Sequence, residues 1–191
     1  MSSTISQTRR MTTIAILAAI STVLAMPLLQ FSILGIPFLK VDLTILPILL
    51  GTFMLGLSAG AIILIIRTVL WFLLFNEGVN TIVGLPMNFV AVAAFTLIVW
   101  LFIRNGFSFS KYILGSILAT LAMTALMVVL NLIYAVPVYE KFANYPASAL
   151  SLNTYFVPVV IPFNLLEGLI FAIAFAILYL ALRNVKGVKF I

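Results

Sequence analysis

Three asparagines, Asn88, Asn131 and Asn164, lie inside otherwise apolar segments of this 191-residue chain. A side-chain amide in hydrocarbon is unfavourable unless a hydrogen-bond partner satisfies it. For any single asparagine, a bond to a neighbouring helix is the alternative explanation. An amide offers a donor and an acceptor without a charge, so it suits a neutral ligand with amides, ring nitrogens or hydroxyls. Together the three residues predict a polar ligand pocket.

The composition predicts that this pocket lies within a membrane. Hydrophobic residues make up 65% of the chain and charged residues 7%, against about a quarter charged residues in soluble domains. The net charge of +6 comes from Lys and Arg at segment ends, which is typical of topological signals rather than of a nucleic-acid-binding patch. Cysteine and histidine are absent, so the usual ligands of metal centres and haem are missing. We expect no nucleic-acid partner, no metal and no cofactor.

Six apolar stretches predict six transmembrane helices, because about 20 apolar residues cross the hydrocarbon core. No charge separates the second stretch from the third, so one long broken segment is an alternative there. The cations at both chain ends fall on the cytoplasmic side if the number of crossings is even. The sequence therefore predicts a single all-α membrane domain over residues 1–191, a six-helix bundle with both termini cytoplasmic. The predicted spans are about 11–29, 42–56, 58–75, 85–104, 111–137 and 158–183.

The depth of the asparagines can be counted from the predicted span ends. A rise of about 1.5 Å per residue puts all three roughly 5 to 10 Å below the outer surface. The outer connections contain most of the Pro, Gly and Asn, so the functional face is expected to be the outer one. Leu85 and Met87 precede Asn88, and Tyr134 lies one turn from Asn131. These neighbours offer surface for an aromatic ligand.

Two charges of opposite sign, Arg67 and Glu167, lie deeper, at about 12 to 14 Å. An unpaired charge at that depth is strongly unfavourable. We therefore expect an Arg67–Glu167 ion pair that closes the pocket floor. A proton- or ion-coupling carboxylate at Glu167 is the alternative.

Two further features lie on the first outer loop and on the first span. Leu39 and Lys40 stand where the first outer loop enters the second span, where Lys40 could also simply reach toward the interface. Ala15 and Ala19 give the first span a small-residue face that another helix can approach closely. The chain has no phosphate-binding Gly-rich loop and no Ser/His or Cys/His pair, so neither ATP hydrolysis nor another enzymatic activity is expected.

Four separated segments carry a family resemblance. They resemble the substrate-binding S components of energy-coupling factor (ECF) vitamin transporters, and among these the riboflavin-specific members. The segments are Leu39-Lys40-Val41-Asp42 with Pro47, Met87-Asn88-Phe89-Val90-Ala91, Leu130-Asn131-Leu132 with Pro137-Val138-Tyr139, and Ile161-Pro162-Phe163-Asn164-Leu165-Leu166-Glu167-Gly168.

The resemblance implies a multi-pass protein of a prokaryotic cell membrane that binds riboflavin, as transported substrate, in an outward-facing cavity. It implies a transmembrane coupling protein and two ATPase subunits as partners, with the Ala15/Ala19 face touching the coupling protein. The three asparagines would hydrogen-bond the flavin ring edge or ribityl hydroxyls, and Leu39 and Lys40 would belong to a closing loop.

Alternatives and one departure accompany the resemblance. The alternatives are an S component for another vitamin, such as thiamine, biotin or pantothenate, and an autonomous facilitator. Riboflavin-type sequences often have Lys where this chain has Glu167. An acidic residue at that position predicts a preference for riboflavin over its 5′-phosphate.

Overall fold

The structure is a computed structural model that describes residues 7–33, 39–144, 146–185 and 190. Part of the first outer loop and the C-terminal cations Lys186 and Lys189, which the sequence assigned to the cytoplasmic side, lie outside the described residues. Helices are the regular structure of the described ranges, apart from one antiparallel bridge between Phe31 and Val41. The all-α class is therefore confirmed.

The described residues form seven α-helices, and short 3₁₀ and π-helical segments lie between some of them. A 3₁₀ turn, Pro27–Leu29, follows α1, and another, Ala147–Leu150, precedes the last helical stretch. Two π-helical segments continue directly into α-helix: Asn131–Ala135 joins α5 to α6, and Leu152–Val160 leads into α7. The helices are α1 Gln7–Leu24, α2 Ile45–Leu55, α3 Leu57–Leu74, α4 Val79–Ile103, α5 Phe109–Leu130, α6 Val136–Phe142 and α7 Ile161–Leu182.

Among the residues that the structure describes, four helical stretches are long and apolar enough to cross a membrane. They are Leu57–Leu74, Val79–Ile103, Phe109–Phe142 and Leu152–Leu182, with Ile45–Leu55 as a shorter apolar helix. Many of their large apolar side chains point outward, as they do at Leu73, Ile133 and Ile177. Since lipid covers such a surface without cost, the chain is an all-α membrane protein.

The region around Gly56 forms two packed helices rather than one broken segment. Gly56 has a φ of 95°, a left-handed conformation that favours glycine, and it separates α2 from α3. The two helices then pack against each other. At Gly60 on α3 a Cβ atom would collide with the Thr52 hydroxyl of α2. The predicted division into two helices is confirmed here.

Three helical stretches extend beyond their predicted bounds at the end of the bundle that carries the α3–α4 connection. The fourth begins at Val79 instead of 85 and contains Pro86. The fifth runs on to Phe142, and the sixth begins at Leu152. Proline is unfavourable in helix interiors because it lacks an N–H. The helices predicted from the sequence are therefore too short at these ends. π-helical turns and side-chain hydrogen bonds accommodate the prolines instead.

The core of the bundle is aromatic and aliphatic. Phe95 on α4 meets Phe171 on α7 edge to face, with ring centroids 5.6 Å apart. Phe53 on α2 lies against Phe175 on α7 at 5.4 Å. These contacts, worth about 0.5–1.5 kcal/mol each beyond area burial, join α2, α4 and α7.

Candidate functional site

A cavity of about 800 Å³ opens at the end of the bundle that carries the first loop and the α3–α4 connection. Its size lies within the range of small-molecule sites, roughly 300–1,000 Å³. All three asparagines line it, as the sequence predicted. Other residues that line it include Leu39, Lys40, Asp42, Trp71, Glu77, Met87, Tyr155, Phe163 and Glu167.

Asn131 is held by two hydrogen bonds at the start of the π-helical turn. Its Nδ2 donates to the Met127 carbonyl at 2.8 Å, and its Oδ1 accepts from the Tyr155 hydroxyl at 3.2 Å. The side chain is 5% exposed. An amide has two N–H donors and two lone pairs on oxygen, so Asn131 retains one donor and one acceptor for a ligand.

Asn164 is oriented by a bond to its own helix. Its Nδ2 donates to the Val160 carbonyl at 2.7 Å. No side chain in the described ranges donates to its Oδ1. The amide therefore offers the cavity an acceptor oxygen and one remaining N–H.

Asn88 is oriented in the opposite sense. Arg67 Nη2 donates to Asn88 Oδ1 at 2.8 Å. A guanidinium has donors only, so the oxygen must face Arg67, and both N–H groups of the amide remain for the cavity. The described residues provide no acceptor for that nitrogen.

The expected Arg67–Glu167 ion pair is absent. Arg67 is fully buried and uses one nitrogen on Asn88, while its Nε and Nη1 have no hydrogen-bond acceptor among the described residues. Its guanidinium lies over the Trp71 ring at 5.5 Å. The sequence places Arg67 and Glu167 at the same depth, but depth does not determine the direction in which a side chain points around its helix axis. Arg67 faces α4, whereas Glu167 faces the cavity.

Acidic groups outnumber cations on the described cavity wall. Asp42, Glu77 and Glu167 line it together with Lys40. Asp42 is 4% exposed; its Oδ1 accepts from the Thr44 backbone N–H at 3.0 Å and from the Thr44 hydroxyl. Its charge acts on both Arg67 and Glu167. Asp42 therefore supplies negative potential near the buried guanidinium.

Leu39, Lys40 and Met87 lie on the cavity wall, but Leu85 and Tyr134, the other predicted ligand neighbours, do not. The Tyr134 hydroxyl instead donates to the Ile82 carbonyl at 2.7 Å. This carbonyl lies four residues before Pro86, which has no N–H to give it. Tyr134 thus satisfies a backbone group in the fourth helix.

Tyr155 and Trp71 are site residues that the sequence analysis missed. Tyr155 contacts Asn131 from a π-helical segment that was assigned to an outer loop. A signal was available: each cavity asparagine has a proline within six residues, namely Pro86, Pro137 and Pro162. π-helical irregularities of this kind are frequent at functional sites.

The predicted partner face on α1 is exposed. Ala15 and Ala19 lie on the surface, beside the exposed Ile16 and Ile20, whereas Ala18 is buried in the bundle. The small residues are therefore open to contact from outside this chain.

Comparison with known proteins gives consistent similarities over nearly the whole chain. The family described as "ECF transporter, substrate-specific component" matches residues 9–179. The riboflavin transporter RibU of Lactococcus lactis subsp. cremoris (strain NZ9000) is 46% identical over 202 residues, which cover 97% of this chain and 98% of the relative. RibU of Streptococcus thermophilus is 45% identical over 182 residues, covering 93% of this chain and 84% of the relative.

A solved structure is similar in fold as well as in sequence. It is described as the S component of a bacterial ECF transporter, with a TM-score of 0.78 and 32% identity. The similarity covers 94% of this chain and 98% of that chain.

Proposed function

Because this chain belongs to the substrate-specific components of ECF transporters, we propose that its cavity binds riboflavin and presents it for ATP-driven uptake. The observation that carries the proposal is the ring of three asparagines in a cavity of about 800 Å³. The relatives named riboflavin transporters match this chain over 98% and 84% of their own length, which favours riboflavin over thiamine, biotin or pantothenate and over an autonomous facilitator.

The polar groups of the cavity suit the flavin ring. A flavin carries carbonyl and ring-nitrogen acceptors around one N–H donor. Asn88 offers donors and Asn164 offers an acceptor, while Asn131 retains one of each. Trp71, Phe163 and Tyr155 provide aromatic surface beside them, which favours a flat ring.

We further propose six membrane crossings with both termini cytoplasmic. The helices α1 and α2 pack in the same bundle as α3, and α1 carries exposed apolar side chains at Met11 and Val23. Arg10 donates to Ser58 at the start of α3, at 2.8 Å. The chain has no cysteine, so single cysteines at Asn76 and Asn105 can be tested with an impermeant maleimide on intact cells. The six-crossing topology expects labelling at 76 only; labelling at 105 would contradict it.

The partners that we propose are a transmembrane coupling protein and two ATPase subunits. The exposed Ala15/Ala19 face supports a close helix contact with the coupling protein, since small residues let helix backbones approach. The remaining exposed faces carry large apolar side chains suited to lipid. The cell membrane of a prokaryote is the location that this assembly implies.

Absorption and fluorescence test the ligand directly. Ligand-free protein purified in detergent is titrated with riboflavin, and with thiamine, biotin and pantothenate as competitors. We expect saturable, stoichiometric quenching of flavin fluorescence. The other vitamins should not reverse the quenching, because they should not displace riboflavin. No quenching, or displacement by another vitamin, would overturn riboflavin as the substrate.

A further inference from the structure

The fully buried Arg67 lies behind the cavity wall rather than on it. Within the described part of the chain its one hydrogen bond goes to Asn88 Oδ1, and its Nε and Nη1 have no acceptor. Asn88, which accepts its hydrogen bond, and Trp71, over whose ring it lies, both line the cavity. A guanidinium in this position can influence a ligand through those neighbours.

The contact with Arg67 fixes which end of the Asn88 amide faces the cavity. If the amide rotated by 180°, its N–H groups would point at the N–H groups of the guanidinium. That rotation would replace a charge-assisted hydrogen bond by two opposed donors. Asn88 therefore presents nitrogen to the cavity.

The other two amides are oriented in a different way. Asn131 and Asn164 each donate one N–H to a backbone carbonyl four residues earlier. Each keeps an oxygen lone pair that can accept from a ligand. Asn88 differs from both: its oxygen is held by Arg67, and both of its N–H groups remain for a ligand.

We propose that Arg67 is a positioning residue that determines specificity: through its bond to Asn88 it makes the cavity require a hydrogen-bond acceptor, a carbonyl or ring nitrogen, at that point of the flavin. The inference rests on the proposed riboflavin site and deepens it. A ligand with a donor at this point faces two opposed donors and binds weakly.

Substitution of Asn88 by Asp changes the group that faces the cavity without removing the hydrogen bond from Arg67. In Asn88→Asp one carboxylate oxygen still accepts from Arg67, but the atom that faces the cavity changes from donor to acceptor. We expect riboflavin affinity to fall at least tenfold while the ligand-free protein unfolds at the wild-type temperature or above. Asn76→Asp adds the same charge at an exposed position of the α3–α4 connection that does not itself line the cavity, and should change affinity less than twofold. Wild-type affinity in Asn88→Asp would overturn the proposal.

A double-mutant cycle tests whether Arg67 acts through Asn88. The glutamine of Arg67→Gln can accept as well as donate, so it no longer fixes the orientation of the Asn88 amide, and riboflavin affinity should fall about tenfold. Arg67→Lys keeps a group that only donates, so riboflavin affinity should fall less than threefold. In an Asn88→Leu background, Arg67→Gln should have no further effect on affinity. Independent losses that multiply would show that Arg67 acts structurally and would overturn the proposal.

The unfolding temperature of ligand-free protein tests the Arg67–Asn88 contact without depending on which ligand the cavity binds. Asn88→Leu should lower it by several degrees while Asn88→Asp does not, which measures the Arg67 contact alone. Equal temperatures for all variants would overturn the contact. A wild type that ignores riboflavin would overturn the proposed function, and with it the assignment of a flavin acceptor.

Discussion

The Tyr134 hydroxyl donates to the Ile82 backbone carbonyl at 2.7 Å. Pro86 leaves that carbonyl without its helical N–H partner, so a side chain from the π-helical turn after α5 completes a hydrogen bond of α4. The contact joins the two helical stretches that carry Asn88 and Asn131.

Removing this hydroxyl should cost stability rather than ligand affinity. Tyr134→Phe leaves the Ile82 carbonyl unsatisfied, and we expect a loss of about 1–3 kcal/mol in the free energy of unfolding. In a Pro86→Ala background residue 86 regains its N–H, so the same substitution should cost less than about 0.5 kcal/mol. Denaturation of the four proteins measures this difference. A large loss of riboflavin affinity in Tyr134→Phe would instead support the ligand contact expected from the sequence.

Neutralising Glu167 should not destabilise the ligand-free protein. The carboxylate is buried and has no cation paired with it among the described residues. Breaking a buried ion pair costs about 3–5 kcal/mol. An unfolding temperature of Glu167→Gln that equals or exceeds that of the wild type therefore shows that Glu167 is not paired with Arg67. Asp42→Asn is the matched control: it weakens bonds from Thr44 and should lose about 1 kcal/mol. A loss in Glu167→Gln above 3 kcal/mol would restore the ion pair.

Riboflavin should bind at least tenfold more tightly than its 5′-phosphate. The phosphate adds about −1.5 to −2 charge at pH 7, and the described cavity wall holds three carboxylates against Lys40. Competition between the two ligands measures the ratio, and Glu167→Gln should reduce it. Tighter binding of the phosphate would contradict this account of the charges.

Bulky side chains on the α1 face should separate binding from transport. Ala15→Leu with Ala19→Leu fills the exposed small-residue face, so uptake by cells should fall more than tenfold while purified protein binds riboflavin as before. Ile16→Leu and Ile20→Leu, on neighbouring exposed positions, serve as controls. Normal uptake in the alanine variant would place the partner contact elsewhere.

The asparagine layer was predictable because helical rise converts sequence position into depth, and Asn88, Asn131 and Asn164 indeed share one cavity. Rotation about the helix axis was not predictable in the same way. It separates Arg67 from Glu167 and turns Tyr134 toward Ile82. The spans were too short where prolines occur, because π-helical turns keep the helix going beyond Pro137 and Pro158.

The most direct test of the central claim is a riboflavin titration of ligand-free wild type beside Asn131→Leu and Asn164→Leu. The account predicts stoichiometric quenching in wild type and affinity losses of at least a hundredfold in both variants, with both proteins still folded. Exposed Asn105→Leu, at the opposite end of the bundle, should bind as wild type. Unchanged riboflavin affinity in folded Asn131→Leu and Asn164→Leu would contradict the claim that this cavity holds the vitamin.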